Sequence, residues 1–258
     1  MFPHDGGEAD DKIIAVLKNA LYWGEVDDLS GLPPARRDLL AKRGYVLLNT
    51  LQTTRGCPFD CSFCSVTGMF GRKYRYRSTE NVLAELRRYD SRKHLIFFYD
   101  DNFAADRKHT KELLEGMIRE DFGFTWTTQV RADVAKDEEI VGLMKRAGCH
   151  TVYIGFESVN PDSLEAMRKK QTVEEITAAV KVLRRHRIHI HGMFVYGFDQ
   201  DDWRTVKRTV RFAKRSRLNS TQFLILTPLP GTELYDLVLR EGGIRSRDCT
   251  RLIFWQPN

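Results

Sequence analysis

Thr53-Thr54-Arg55-Gly56-Cys57-Pro58-Phe59-Asp60-Cys61-Ser62-Phe63-Cys64 decides how this chain is read, because it follows a β-rich run, Val46 to Thr54, and gathers three of the five cysteines. Gly56 and Pro58 favour a tight loop. Such a loop lets neighbouring thiols converge on one small inorganic centre, and soft sulfur suits iron-sulfur chemistry. Three local thiolates on a cubane of four irons leave one iron open, as a catalytic metal centre requires. A zinc site competes with this reading, its fourth ligand coming from Cys149, Cys249 or a histidine. Purely structural thiols are the third reading, although such thiols are usually dispersed and buried.

Outward from the loop, strand-like and helix-like segments alternate. The β-rich runs are Val46 to Thr54, His94 to Tyr99, Thr125 to Val130, Thr151 to Phe156, His189 to Val195 and Thr221 to Thr227. Between them lie helical patterns at Thr79 to Tyr89, Arg107 to Arg119, Asp137 to Ala147, Val173 to His186 and Asp202 to Arg215, with Thr232 to Arg240 after the last strand. Ser78 or Thr79, Asp137, Thr172 and Asp201 or Asp202 supply N-caps, and Gly148 is a stop signal. The strands are apolar throughout, the pattern of a parallel sheet covered by helices on both faces. Six right-handed βα units predict an α/β fold, a partial (β/α)6 TIM-like barrel with parallel strands and functional residues at their C-terminal ends. This barrel takes residues 45–245. Residues 1–44 read as an N-terminal helix, with Ile13, Ile14, Leu17, Ala20 and Leu21 at helical spacing, and a linker; 246–258 read as the start of a truncated C-terminal region.

A length of 258 residues suits one main domain, and the apolar and charged fractions, 42% and 29%, are ordinary for a globular protein. No run approaches the ~20 apolar residues of a membrane span. The acidic start lacks the features of a signal peptide, and the clustered cysteines are unlike a disulfide framework, so a cytoplasmic location is expected. The net charge of +6 is scattered over amphipathic helices without a basic tail, which argues against a nucleic-acid partner.

Five further strand-end motifs agree with the cysteine loop: Tyr99-Asp100-Asp101-Asn102-Phe103, Gln129-Val130-Arg131-Ala132-Asp133, Gly155-Phe156-Glu157-Ser158, Phe194-Val195-Tyr196-Gly197-Phe198 and Leu226-Thr227-Pro228-Leu229-Pro230-Gly231-Thr232. From about Tyr45 to Gly243 the chain resembles the radical S-adenosylmethionine (SAM) superfamily, and within it the cobalamin-dependent class. The resemblance implies that Cys57, Cys61 and Cys64 bind three irons of a 4Fe-4S cluster while SAM chelates the fourth. An external electron donor of flavodoxin or ferredoxin type then supplies an electron, and SAM is cleaved to a 5'-deoxyadenosyl radical that acts on a small-molecule or lipid-like substrate, with methyl transfer or rearrangement as the outcome that the cobalamin-dependent class implies.

By the same resemblance, Asp100, Asp101 and Asn102 stand where the family holds the cofactor's amino group. The usual Gly-Gly-Glu is absent there, and these residues could instead cap the helix that begins near Arg107. Arg131 would face the cofactor carboxylate, or else form a surface salt bridge; Gln129 would point into the barrel. Glu157 is assigned to the ribose hydroxyls and Ser158 to the carboxylate, while Gly197, Leu226 and Pro228 line the adenine pocket. Phe63, just before the last cysteine, joins the cofactor contacts. His189 and His191 share one side of the fifth strand, facing the interior or satisfying local hydrogen bonds.

Relatives in the cobalamin-dependent class carry a cobalamin-binding domain ahead of the barrel. Here Gly6-Gly7-Glu8-Ala9-Asp10 and the following helix resemble the end of one. The chain is therefore expected to be a fragment, to work without cobalamin, or to use a separate partner. A tRNA-modifying enzyme of the methylthiotransferase kind and a non-catalytic metal-binding fragment are the alternative functions.

Overall fold

The alternation of strands and helices is present throughout residues 49–89 and 95–243, which with 29–31 are the residues this computed structural model describes. The N-terminal helix, Cys249 and nearly all of the regions 1–44 and 246–258 lie outside them. In chain order the elements are β1 (Asn49–Leu51), β2 (Thr54–Arg55), α1 (Ser65–Phe70), β3 (Arg75–Tyr76), α2 (Thr79–Leu86), β4 (Ile96–Phe98), α3 (Arg107–Glu120) and β5 (Trp126–Val130). Then follow α4 (Glu138–Arg146), β6 (Cys149–Glu157), α5 (Pro161–Ala166), α6 (Val173–Arg185), β7 (His189–Tyr196), α7 (Trp203–Arg215), β8 (Ser220–Ile225) and α8 (Glu233–Arg240).

Six strands form one parallel sheet in the order β1-β4-β5-β6-β7-β8, the order of a partial barrel wound in one direction. Helices start where polar side chains can take the first free amides: Ser78, Asp137, Thr172 and Asp202 each accept from an amide three residues on. The first expected strand is shorter than its β-rich run. It breaks after Leu51, and Thr54–Arg55 pairs antiparallel with Arg75–Tyr76. The cause is Asp100, which takes the Thr53 and Thr54 amides out of the ladder.

The outer face of the sheet is the core. Phe98, Trp126, Val152, Ile154, Phe156, Ile190 and Phe194 are buried there against helix residues such as Leu113, Ile140, Met144, Ile176 and Leu183. Each such side chain contributes about 1.5–3 kcal/mol by leaving water. On the inner face Gln129, Tyr153 and His191 lie side by side in register and stay half-buried. The expectation of helices on both faces is corrected by this arrangement. It fails most clearly at β8, every residue of which is exposed, Ile225 to 76%. Among the described residues β8 is an edge strand that hydrogen-bonds only to β7, and α8 buries none of its own residues. No helix among the described residues is long and apolar enough to cross a membrane.

Candidate active site

The cysteine loop leaves β2 through Gly56, whose φ of +87° favours glycine. A Cβ there would also sit 2.6 Å from Lys73 O. Beneath it, Asp100 is wholly buried and accepts from Thr53 N (2.7 Å), Thr53 Oγ1 (2.5 Å) and Thr54 N (2.9 Å). Desolvation pushes its pKa up to about 7 against those hydrogen bonds. Asp101, half-buried, accepts from Gly56 N at 2.9 Å, and desolvation raises its pKa as well. The Tyr74 hydroxyl donates to Asn102 O at 2.9 Å. These contacts make the segments after β1 and after β4 one rigid floor for the cysteines.

Cys57, Cys61 and Cys64 are half-buried free thiols. Cys64 N donates to Cys61 O at 3.1 Å, which turns the loop back on itself. Burial raises the Cys57 and Cys64 pKa values; the charge of Cys61 adds to this at both, and that of Cys57 at Cys64. Lys169 opposes the rise at both thiols and Arg131 at Cys57, so these cations favour thiolates.

Arg131 is buried rather than bridged at the surface. Its guanidinium lies 3.8 Å over the Phe59 ring, Nη1 is 3.8 Å from Cys61 Sγ, and Nη2 donates to Lys169 O. Nε has no hydrogen-bond partner, and Asp133 Oδ1 is 3.8 Å away. Lys169 Nζ in turn pairs with Glu157 Oε1 at 2.6 Å, the side chains being 9% and 10% exposed. Glu157 ends β6 in the left-handed region, at φ +62°. A continuous line of contacts therefore joins Cys61 to Arg131, Lys169 and Glu157.

Lys169 escaped the sequence reading. Arg168-Lys169-Lys170 follows a short helix and looks like a solvated basic triplet. Arg168 and Lys170 take left-handed backbone, φ +52° and +51°, and Lys169 between them is turned inward.

The remaining site residues complete the mouth. Phe63 and Leu226 pack on Met167, Val195 and Phe198 in a separate apolar cluster, with Phe63 edge-on to Phe198 at 6.3 Å. Gly197 N donates to Asp201 Oδ2 at 3.0 Å, and Pro228 is half-buried in the segment after β8. Ser62 clasps the loop, its amide donating to Met167 O and its carbonyl accepting from Leu234 N. Gln129 Nε2 donates to Asp100 O at 3.4 Å. Ser158 Oγ, fully buried, accepts from Asn160 N at 3.0 Å, so it braces a turn.

Cys57, Cys61 and Cys64 stand within electrostatic reach of one another, a donor set of the kind that three irons of a cluster would take. Cys149 cannot join it, because it starts β6, whose other end is Glu157; eight steps of about 3.3 Å separate them by roughly 26 Å. His191 is occupied by Ser220 Oγ at 2.8 Å and by the Tyr153 ring, and His189 packs on His150. Among the described residues no three His, Cys, Asp or Glu side chains are gathered to hold a single ion. In a cubane each thiolate has an iron of its own.

Residues 51–240 match the family model described as the Radical SAM superfamily. The chain belongs to the radical SAM superfamily. This radical SAM core is 36% identical over 197 residues to the bacteriochlorophyllide d C-12(1)-methyltransferase of Chlorobaculum tepidum, covering 74% of the chain and 43% of that protein. It is 30% identical over 253 residues to the hopanoid C-2 methylase of Rhodopseudomonas palustris, covering 92% of the chain and 48% of that protein. The chain thus spans less than half the length of these relatives. Among solved structures, the radical SAM methyltransferase TsrM from Kitasatospora setae, with cobalamin and a 4Fe-4S cluster bound, superposes with a TM-score of 0.69 at 22% identity, over 78% of this chain and 41% of that one. At that identity the likeness shows the fold.

Proposed function

We propose that this radical SAM core holds a 4Fe-4S cluster on Cys57, Cys61 and Cys64 and cleaves SAM reductively, in the service of methyl transfer to a small-molecule or lipid-like acceptor. The observation that carries this reading is the line from Cys61 through Arg131 and Lys169 to Glu157, which puts buried cations and a carboxylate beside the thiols at the strand ends. When bound, the cluster supplies the electron that breaks a carbon-sulfur bond of SAM, leaving methionine and a 5'-deoxyadenosyl radical.

The chain's own residues bind and orient. Arg131 and Lys169 offer positive charge to the cofactor carboxylate, and the unsatisfied Arg131 Nε is a donor in want of an acceptor. Asp101 is the acid best suited to the ammonium, because Asp100 is spent on Thr53 and Thr54. Glu157 can accept from the ribose hydroxyls, while Phe63, Val195, Phe198 and Leu226 exclude water from the adenosyl side. Methyl transfer is favoured by the names of the relatives, a methyltransferase and a methylase. Cobalamin would be held outside the described residues, and a flavodoxin- or ferredoxin-type donor in the cytoplasm would supply the electron. After anaerobic reconstitution with iron and sulfide, SAM and dithionite should yield 5'-deoxyadenosine. Cys61→Ala should yield none; undiminished product from that variant sinks the reading.

A further inference from the structure

The outer wall of the barrel carries a second concave site, away from the cysteines. A groove of about 630 Å³ runs between α6 and α7, floored by Val159, Val180 and Phe212. Lys181 and Arg184 line one rim, and Arg208, Arg211 and Arg215 the other. All five are exposed, and among the described residues none is paired with a carboxylate. Arg184 donates to the Ser216 carbonyl and Arg208 to the Thr205 hydroxyl. Several other helix cations are offset, as Arg87 is by Glu80 and Glu120, Lys111 by Glu139 and, on the far side of α6, Arg185 by Glu138. Helix α7 differs. Its thirteen residues include Arg204, Lys207, Arg208, Arg211, Lys214 and Arg215 and no acid, and only Thr205 and Thr209 are buried.

We propose that this groove docks an acidic amphipathic helix of a partner protein. From Arg208 to Arg215 are seven steps of 1.5 Å, so the cations line the groove for about 10 Å, or two helical turns. A helix laid between α6 and α7 would turn an apolar stripe to the floor and present carboxylates at i, i+3 or i+4 and i+7 to both rims. Four of the five cations are arginines, whose forks suit bidentate carboxylates. A nucleic-acid backbone would match the rims but leave the apolar floor without a counterpart. A lipid surface is too flat to follow cations set around a concavity.

The test is fluorescence anisotropy on the full chain with a labelled designed helix of about 18 residues, long enough to be helical, bearing a leucine stripe flanked by glutamates. A scrambled peptide of the same composition, a single-stranded RNA oligonucleotide and phosphatidylserine vesicles are the comparison probes. Saturable binding of the patterned peptide is expected, weakening as salt rises. Arg208→Glu combined with Arg211→Glu should weaken it about tenfold while leaving the circular dichroism spectrum unchanged. Should that variant unfold, Lys181→Glu on the opposite rim carries the same expectation. The proposal is overturned by absent or salt-insensitive binding, by equal binding of the scrambled peptide, by indifference to charge reversal, or by RNA or vesicles binding in preference to the peptide.

Discussion

Asp100→Ala removes the acceptor shared by Thr53 N, Thr53 Oγ1 and Thr54 N, at 2.7, 2.5 and 2.9 Å. Asp100, Thr53 and Thr54 are all 0% exposed, so water does not readily replace the carboxylate. Each buried donor left without a partner costs about 1–3 kcal/mol; with some relaxation the expected loss is about 4 kcal/mol. For a chain of this size that is roughly 10 °C of melting temperature. Asp100→Asn behaves differently. Its Oδ1 can keep both amides and its Nδ2 can donate to Thr53 Oγ1, so stability should stay within about 1 kcal/mol of the parent. The pH dependence follows from the raised carboxyl. Between the ordinary 3.8 and about 7, the folded protein holds a proton that the unfolded chain has released. The contribution of Asp100 to stability therefore falls as pH rises through that window and levels off above it, and Asp100→Asn removes that contribution from the pH profile. Urea denaturation of the metal-free protein across the window measures all three effects. An alanine variant with the parent midpoint, or an asparagine variant as damaged as the alanine one, would refute the reasoning.

Lys169→Met should cost about 3–5 kcal/mol, because it strands the Glu157 carboxylate in a buried site, and adding Glu157→Gln should recover much of the loss. A double-mutant cycle by urea denaturation checks this, and additive single effects would contradict it. Gly155→Ala places a Cβ 2.2 Å from Glu157 Oε1 and 3.0 Å from Lys169 Nζ, so it should push that pair apart. A loss of about 1–3 kcal/mol is expected, smaller when Glu157 is already glutamine; a melting curve identical to the parent's would contradict the close approach.

The strands were legible because a strand packed beneath helices is an apolar run, and the helix starts because a cap hydroxyl or carboxylate is a local signal. Segments too short for a period were not. Helices α1 and α5 have six residues each and show no usable repeat. The split of the first strand was hidden as well, since it depends on a carboxylate 46 and 47 positions away. For the same reason spacing could not tell Asp100, turned inward as a brace, from Asp101, half-buried beside Gly56. The cysteines were singled out by their spacing after the first strand, and Arg131 and Glu157 by resemblance at strand ends; the structure joins Cys61, Arg131 and Glu157 through Lys169. Lys169 was missed because only its backbone conformation turns it away from solvent. The exposure of β8 had no signal in its own residues, which are as apolar as those of a covered strand.

The central claim is a cluster held by three thiolates, and metal analysis of the anaerobically reconstituted protein tests it most directly. About four iron and four labile sulfide atoms per chain are expected, falling sharply in Cys57→Ala, Cys61→Ala and Cys64→Ala. Stoichiometric zinc without iron or sulfide, or full iron loading in those variants, would contradict it.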